Sequence, residues 1–596
     1  MDAIIIKMKN NSSIKEIFEL AIKNHKKSNF DKAEKFYNKI LKINPNHFES
    51  IFLLGSLSAQ TKKLSLAKKL LEKATQIQPN HANANNNLGA VLQELKDYEG
   101  AINSCQKAIQ IQPDHVDAYY NLGNTLKSLG KYEEAKKNYQ KVIEIKPNHL
   151  DVNNNLGVVF SALGEYEKAI DSYKKAIQIK PNNSYAYFNL GLLFKKFNDF
   201  KNSIRCYKKA IEIQPNFADA YYVLGNVLAD MGDFPQAINC YETSIKYDSE
   251  GLENYFSLSN YKNEILNLEL KNKIENIIKK NISSRKNLAY GNFLLAKYER
   301  KDKKYKKELE YLVNGHSLYY ESKKGKFNNE INHWFNVLPE TEKIFNYEKL
   351  SKHMANDQNK ICPIFIIGVP RCGSTLIEKV IASGEKYIPI GEETSLIDNI
   401  AKEKIYNNDT KNFNFDDIKN LIIEKYKKKR LILDESNHIF TDKSLENFFY
   451  ISLIKAIFPK AKIINCQRNP LSSIMSILQN NLVKLSWAHN LDNIFNYYDI
   501  YLKTIKVFRN KFPNYIYEIQ YEKFVQDPET ESKKLFKFCN LVWSKKCLEF
   551  YKRKDLITQT ASNIQVREAV YKHSLDKYLP YKNLLNEYGK NYSWFN

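Results

Sequence analysis

The chain has 596 residues, which exceeds one ordinary domain, so about two to four domains are expected. Apolar residues make up 43% of the sequence, with only 19 Gly and 16 Pro, and this composition excludes a collagen-like or broadly disordered chain. Lys and Arg outnumber Asp and Glu by 91 to 67, a formal net charge of +24. That surplus fits either a phosphate-bearing partner or Lys-rich, solvated helix surfaces.

The spacing of cysteine and histidine residues indicates the redox state of the compartment and whether a metal site is expected. The eight cysteines form no CxxC pair, and no histidine stands at metal-ligand spacing, so we expect no disulfide framework, no metal and a reducing compartment. The N-terminus lacks the apolar region of a signal peptide, and no apolar run approaches the roughly 18–20 residues of a membrane span. We therefore expect a cytoplasmic protein with no transmembrane segment and no nucleic-acid partner.

Three residue types recur every 34 residues before residue 252. The repeated positions are Pro45, Pro79, Pro113, Pro147, Pro181 and Pro215; Gly55, Gly89, Gly123, Gly157, Gly191 and Gly225; and Ala33, Ala67, Ala101, Ala135, Ala169 and Ala237, with Ser203 in the same register. Small residues let two helices approach closely, and the proline stops the second helix. The pattern resembles tetratricopeptide repeats. It predicts an all-α solenoid of about seven repeats over residues 14–251, followed by a helical connector over 252–355.

A second pattern runs through the same repeats. An asparagine directly precedes the Leu-Gly pair at Asn87, Asn121, Asn155 and Asn189. Amide side chains can donate to and accept from the backbone of an extended peptide, and this ladder resembles the one in the peptide-binding repeats of O-GlcNAc transferase. Two interpretations stay open: a peptide-binding ladder, or a solvated consensus position without a ligand.

The sequence changes character near residue 361. The apolar run 363–369 predicts a buried strand, Pro370 to Thr375 predict a tight loop, and the stretch 376–383 predicts a helix. A strand, a glycine-containing loop and a helix N-terminus form a cradle for phosphate-type anions. Compared with the Walker A pattern, Gly368, Gly373 and Thr375 fit, but Ser374 takes the lysine position, which argues against ATP hydrolysis.

The loop resembles the 5′-phosphosulfate loop of sulfotransferases, which use 3′-phosphoadenosine 5′-phosphosulfate (PAPS). The resemblance assigns cofactor contacts to the loop residues Arg371, Cys372, Gly373, Ser374 and Thr375. Cys372 departs from the usual serine, so a hydroxyl contact is expected to be lost while the backbone cradle remains. Arg371 is also expected to stabilise charge during the reaction.

Further elements of the resemblance follow in the family order. A second predicted strand, 461–466, ends before Arg468, and Ser476 lies eight residues further on; this pair is expected to hold the 3′-phosphate, for which the planar arginine fork is well suited. The segment Gly-Glu-Glu-Thr at 391–394 resembles that of tyrosylprotein sulfotransferases, whose first glutamate is the catalytic base, here Glu392. Lys443 matches a lysine that neutralises the leaving phosphate.

The last elements lie towards the C-terminus. Tyr521 matches a tyrosine at the adenine end of the cofactor, and Ser562, Gln565 and Arg567 resemble the segment that closes over it. The resemblance covers residues 361–590 and implies an α/β P-loop-like sulfotransferase domain with a central parallel sheet. Repeats of this kind fused to such a domain are a known bacterial arrangement, which this chain resembles.

These observations predict a PAPS-dependent sulfotransferase, without a metal, that acts on an acceptor hydroxyl. The repeats and the Gly-Glu-Glu-Thr element favour a peptide or protein acceptor, with tyrosine as a candidate, while a glycan stays open. Two other functions remain alternatives. One is a peptide-binding scaffold with an inactive C-terminal domain, and the other is a P-loop nucleotidase, for which the run 431–435 resembles a Walker B strand. A homodimer is also an open option.

Overall fold

The structure is a computed structural model that describes residues 2–280, 284–351, 361–406, 413–432, 438–553, 555, 565–570 and 576–595, with the backbone alone for 2–13. The chain divides into two compact units, Met1–Ala220 and Tyr221–Asn596. Within the described residues, no helix combines the length and the apolar character that a membrane span requires. The three domains expected from the sequence, 14–251, 252–355 and 361–590, remain a prediction.

The first unit is all helical, as predicted. Its helices come in antiparallel pairs joined by short turns. The last pair starts at Ala218 and continues beyond the boundary at Tyr221 into the second unit. The helices are α1 (Asp2–Lys26), α2 (Phe30–Ile43), α3 (Phe48–Gln60), α4 (Leu64–Ile77), α5 (Ala82–Glu94), α6 (Tyr98–Ile111), α7 (Val116–Ser128), α8 (Tyr132–Ile145), α9 (Val152–Ala162), α10 (Tyr166–Ile179), α11 (Ser184–Lys196), α12 (Phe200–Ile213), α13 (Ala218–Met231) and α14 (Phe234–Tyr247).

Close helix approach within a repeat follows from its glycine. A Cβ atom added to Gly123 on α7 would lie 2.6 Å from the ring of Tyr139 on α8, which is fully buried. The same contact recurs between Gly157 and Tyr173. Glycine is therefore required at this register because a large aromatic ring occupies the space that a side chain would take.

The second unit continues with short helices and one long pair. Its connecting helices are α15 (Leu252–Leu258), α16 (Leu268–Lys280), α17 (Arg285–Lys301), α18 (Tyr305–Ser322), α19 (Lys324–Asn332), α20 (Thr341–Ile344) and α21 (Tyr347–Ser351). A Cβ atom on Gly315 of α18 would lie 2.7 Å from the ring of Phe293 on α17. This glycine–aromatic contact resembles those of the repeats, although the 34-residue pattern has ended.

A parallel sheet follows, as predicted. Its strands are β1 (Ile364–Gly368), β2 (Thr441–Asp442), β3 (Lys462–Gln467) and β4 (Ile516–Gln520), in the order β2-β1-β3-β4. The accompanying helices are α22 (Ser374–Ala382), α23 (Leu396–Ala401), α24 (Phe415–Lys428), α25 (Ile451–Ile457), α26 (Pro470–Asn480), α27 (Leu491–Lys511), α28 (Tyr521–Gln526), α29 (Pro528–Phe538) and α30 (Asn586–Gly589). Every residue of β1 is buried, which explains its continuous apolar run. The carboxyl ends of parallel strands share one edge, where ligand sites of α/β sheets form.

Candidate active site

The loop between β1 and α22 has the backbone of an anion cradle. Arg371 and Gly373 both have positive φ, 70° and 98°, and α22 begins at the next residue, Ser374. A Cβ atom on Gly373 would lie 2.4 Å from the ring of Tyr521, so glycine is needed there for space as well as for conformation. The first N–H groups of α22 lack intrahelical partners, which makes this end suitable for an anion.

Two arginines and a serine meet beside this loop. Arg371 Nε donates to Ser476 Oγ (2.9 Å), and its Nη2 donates to Gln565 Oε1 (3.1 Å). Arg468, directly after β3, donates from Nη1 to the carbonyl oxygen of Arg371 (3.0 Å). Its guanidinium lies 4.7 Å from the ring centroid of Tyr521. The structure thus brings together five residues that the sequence analysis assigned to a cofactor site.

Glu392 and Lys443 meet at the edge of the sheet. They form a parallel β-bridge, and Lys443 Nζ lies 3.0 Å from Glu392 Oε1. Lys443 Nζ also lies 3.2 Å from Thr375 Oγ1 on α22. A Cβ atom on Gly391 would lie 2.3 Å from the carbonyl oxygen of Thr441. The glycine of Gly-Glu-Glu-Thr therefore permits the close approach that places Glu392 beside Lys443.

A second carboxylate, Glu378 on α22, lies near the same ammonium. Its Oε2 atom is 3.8 Å from Lys443 Nζ, and its Oε1 atom accepts from Thr441 Oγ1 (2.9 Å). Burial alone would lower the pKa of Lys443, but Glu392 and Glu378 outweigh burial and raise the pKa above its ordinary value. Lys443 is thus a protonated cation held inside the protein.

Asp442 fixes the segments that carry these groups. It is buried and accepts from the side chains of Thr394 (2.6 Å), Tyr426 (2.6 Å), Ser444 (2.7 Å) and Asn447 (2.9 Å). These donors come from the loop after Glu392, from α24 and from the chain after β2. Neither Asp442 nor Glu378 was predicted from the sequence; the one signal for Asp442 was its position next to Lys443.

A cavity of about 490 Å³ opens at this edge of the sheet. The predicted site residues in its wall are Arg371, Gly373, Ser374, Thr375, Lys443, Arg468, Tyr521 and Gln565. The remaining wall includes Trp334, His333 and the segment 480–485. His333 Nε2 lies 2.8 Å from Asp398 Oδ1, which fixes this part of the wall. The volume suits a small-molecule or cofactor ligand.

Other predicted residues are placed differently. Cys372 is 1% exposed and packs beneath the loop, with its sulfur 2.6 Å from where a Cβ atom on Gly368 would lie. The side chain of Arg567 extends to the carbonyl oxygen of Asp230 (3.1 Å), although its neighbours line the cavity. Ser562 lies outside the described residues, as does the acidic end of the 431–435 run. Among the residues described, no three His, Cys, Asp or Glu side chains are grouped to hold a metal ion.

The asparagine ladder makes contacts between neighbouring repeats. The amide nitrogens donate to the preceding repeat in each case: Asn87 to Ser56 (3.0 Å), Asn121 to Asn86 (2.9 Å), Asn155 to Tyr120 (3.0 Å) and Asn124 (2.9 Å), and Asn189 to Asn154 (3.0 Å). The ladder therefore has a structural role that neither of the two sequence interpretations included. Peptide binding by the ladder stays a prediction.

Comparisons with known proteins agree with this division of the chain. Residues 363–545 match the family model described as "Sulfotransferase family". Models described as "Tetratricopeptide repeat" match 80–148, 138–171 and 218–250, a "TPR repeat" model matches 159–197 and 197–232, and "Anaphase-promoting complex, cyclosome, subunit 3" matches 26–108. An uncharacterized protein of Aquifex aeolicus (strain VF5) is 29% identical over 316 residues, which is 50% of this chain and 40% of that protein. The chain thus spans less than half the length of this curated relative.

Solved structures resemble parts of the chain. MamA is 27% identical, with 29% of this chain and 95% of MamA covered and a TM-score of 0.27. YrrB, described as a TPR protein with an unusual peptide-binding site, is 21% identical, with 31% and 96% covered and a TM-score of 0.27. PilF of Pseudomonas aeruginosa is 22% identical, with 35% and 94% covered and a TM-score of 0.32. By the family matches, residues 26–250 are a tetratricopeptide repeat region and residues 363–545 are a domain of the sulfotransferase family.

Proposed function

We propose that the chain is a PAPS-dependent sulfotransferase that acts on a hydroxyl group of a peptide or protein. The observation that carries the proposal is the convergence of Arg371, Lys443 and Arg468 on one cavity, with the carboxylate of Glu392 3.0 Å from Lys443. Transfer of an anionic group depends mainly on positioning and charge stabilisation, and this site offers both.

The residues present fit a ligand with anionic groups at two places. Arg371 and the N-terminus of α22 would hold the 5′-phosphosulfate, and Arg468 with Ser476 would hold the 3′-phosphate. The ring of Tyr521, in the cavity wall, offers a stacking surface for adenine. When bound, PAPS supplies a sulfuryl group whose bond to the phosphate oxygen breaks as the acceptor oxygen bonds to sulfur.

The chain's own groups have distinct roles in this proposal. Glu392 Oε accepts the proton of the acceptor hydroxyl. Lys443 Nζ donates a hydrogen bond to the oxygen on which negative charge grows, and its raised pKa keeps it charged for that task. The buried Glu378 keeps the ammonium near Thr375 and is a positioning residue.

A peptide or protein acceptor is supported by two features. Tetratricopeptide repeats are protein-interaction modules, and they precede the cavity in the chain. Trp334 in the cavity wall offers a flat apolar surface of the kind on which an aromatic ring stacks, so tyrosine is the first acceptor to test. The direct assay is transfer of labelled sulfate from PAPS to a tyrosine peptide, with the phenylalanine version of that peptide as control and a sugar acceptor in parallel.

Cofactor specificity is tested first by thermal unfolding of the full chain with adenosine 3′,5′-bisphosphate or with ATP–Mg²⁺. All four tryptophans lie in the second unit, so their fluorescence follows the unit that contains the cavity. Ligand at about 100 times its dissociation constant stabilises by about 2.7 kcal/mol. Arg468→Ala should abolish the shift. Arg509→Ala, which removes an exposed arginine that pairs with Glu518 (3.0 Å), should keep it.

The outcomes separate the functions considered. A shift with the bisphosphate that Arg468→Ala abolishes supports the sulfotransferase. A shift with ATP–Mg²⁺ alone would favour a nucleotidase over the sulfotransferase. No shift with either ligand would leave the scaffold as the better function.

A further inference from the structure

The residues of segment 565–570 face two different parts of the second unit. Gln565, Val566 and Glu568 belong to the cavity wall, whereas Arg567 points to the last tetratricopeptide repeat, within the same compact unit. Arg567 Nη2 donates to the carbonyl oxygen of Asp230 (3.1 Å). Asp230 lies in the last turn of α13, where the helix dipole favours a cation. A single arginine therefore fixes the cavity wall to the end of a repeat helix.

Gly232 makes room for this arginine. A Cβ atom there would lie 2.3 Å from Arg567 Cζ and 2.5 Å from its Nε. The position is the turn between the two helices of a repeat, and φ is positive at the equivalent residue of every repeat: Ser28, Lys62, Lys96, Gly130, Gly164, Asn198 and Gly232. Because serine, lysine and asparagine all occupy this turn, its backbone does not demand glycine. In the last repeat the Arg567 guanidinium occupies the space that a side chain at Gly232 would take.

Segment 565–570 contacts the loop between β1 and α22 through a hydrogen bond. Gln565, two residues before Arg567, accepts from Arg371 Nη2 (3.1 Å), and Arg371 also donates to Ser476 (2.9 Å). The position of the Gln565 amide depends on where the segment is held. A continuous set of contacts therefore connects the turn at Gly232 with the arginine beside the helix N-terminus of α22.

We infer that Arg567 is a positioning residue: by fixing segment 565–570 to the last repeat, it holds Gln565 against Arg371 and so sets the affinity of the cavity for its nucleotide. The inference rests on the proposed function, since the nucleotide is the PAPS product adenosine 3′,5′-bisphosphate. It assigns Arg567 an indirect role in place of the direct cofactor contact expected from the sequence, and it makes the last repeat part of the site.

The test displaces the Arg567 guanidinium by a substitution in the repeat turn that it contacts. Gly232→Ala places a methyl group against the guanidinium without altering segment 565–570. Gly164→Ala is the matched control, because φ there is 80° against 87° at Gly232 and its nearest neighbour is Tyr166 at 4.0 Å. Arg567→Ala and the double variant Gly232→Ala/Arg567→Ala complete a double-mutant cycle. The dissociation constant of adenosine 3′,5′-bisphosphate is measured by calorimetry on the full chain, beside the tryptophan unfolding midpoint without ligand.

Gly232→Ala and Arg567→Ala should each weaken binding by about tenfold, the effect of one lost hydrogen bond to a charged group. Gly164→Ala should stay within about twofold, and the double variant should bind no more weakly than Arg567→Ala, because both changes break the same contact. Wild-type affinity in Gly232→Ala, or losses that multiply in the double variant, would overturn the inference alone. If the wild-type chain does not bind the bisphosphate, the proposed function fails and the inference fails with it.

Discussion

Lys443 Nζ lies 3.0 Å from Glu392 Oε1, and the two residues pair in a parallel β-bridge although 51 positions separate them in the chain. The proposed base and the proposed cation for the leaving group thus form an ion pair with each other. Only 6% of the Lys443 side chain and 10% of the Glu392 side chain are exposed. An acceptor hydroxyl that approaches Glu392 therefore enters a site whose charges are already oriented, and little rearrangement is needed before transfer.

The first prediction concerns Lys443→Met. Removing the ammonium leaves Glu378 and Glu392 near each other without their shared cation, and breaking a buried ion pair costs about 3–5 kcal/mol. We expect a lower unfolding midpoint of the second unit by tryptophan fluorescence, together with loss of sulfate transfer.

A double variant distinguishes this electrostatic cause from a packing defect. Glu378→Gln keeps an oxygen for the hydrogen bond from Thr441 and removes one negative charge. In the Lys443→Met background it should recover part of the lost stability without recovering activity. If the midpoint of the double variant equals that of Lys443→Met, the two carboxylates do not share Lys443 as described.

The second prediction concerns Glu392→Gln. Glutamine has nearly the same shape but cannot accept the proton, so we expect transfer to slow by about 10²–10⁴-fold, the usual contribution of a general base. Binding of adenosine 3′,5′-bisphosphate should change by less than about threefold, since the base contacts the acceptor in this mechanism. Single-turnover transfer and calorimetry measure the two quantities. Transfer at the wild-type rate would remove Glu392 from the base role.

The sequence and its family resemblance were sufficient to predict a parallel sheet, the two strands that are β1 and β3, and the loop that forms the cradle. β1 is a continuous apolar run because all of its residues are buried, and loop identities such as Gly373 follow from backbone demands. Glu378 was missed for a physical reason. It lies on a short helix that is buried on several sides, and a helix pattern does not show that a carboxylate on such a helix faces a lysine from a distant strand.

Arg567 shows a second limit of prediction from the sequence. Residues 565–567 form a 3-10 turn whose side chains point to different sides, so the motif alone does not tell which ones face a cavity. The direction of Arg567 depends on the turn at Gly232, which is 335 positions away in the sequence. The two residues are brought together by tertiary packing, which no local pattern records.

The third prediction concerns Asn155→Ala in the asparagine ladder. Asn155 donates to Tyr120 and Asn124 and accepts from Lys127 Nζ (3.1 Å), so the alanine variant loses contacts between two neighbouring repeats. Losing such bonds costs about 1–3 kcal/mol, and the opening free energy of helices α7 to α9 should fall by that order. Hydrogen exchange with mass spectrometry on the full chain localises the change.

Asn103→Ala is the control for the ladder, because Asn103 is exposed on α6. It should leave exchange in α7 to α9 unchanged. Unaltered exchange in Asn155→Ala as well would contradict the structural role of the ladder and favour an asparagine kept for a peptide ligand.

The fourth prediction concerns pH and a buried histidine pair in the second unit. His316 Nδ1 and His489 Nδ1 lie 3.0 Å apart, and His316 Nε2 donates to the carbonyl oxygen of Leu478 (2.8 Å). Burial lowers the pKa of His316 to about 4, and burial with the neighbouring imidazole lowers the pKa of His489 to about 2. Both rings are therefore neutral in the folded protein at pH 7, with one Nδ1 donating and the other accepting.

Because folding depresses both pKa values, the unfolded chain binds more protons below pH 6.5, and the stability present above that pH is lost as the pH falls. At pH 5.5 the loss is roughly 1 kcal/mol for each imidazole. The tryptophan unfolding midpoint should therefore decrease from pH 7.5 to pH 5.5. His489→Phe keeps a ring stacked on Phe327 and removes one titrating group, so its midpoint should decrease less over the same range, even if it starts lower. Equal decreases in both proteins would mean that His489 takes up its proton in the folded state, contrary to the pKa that burial and the neighbouring imidazole lower.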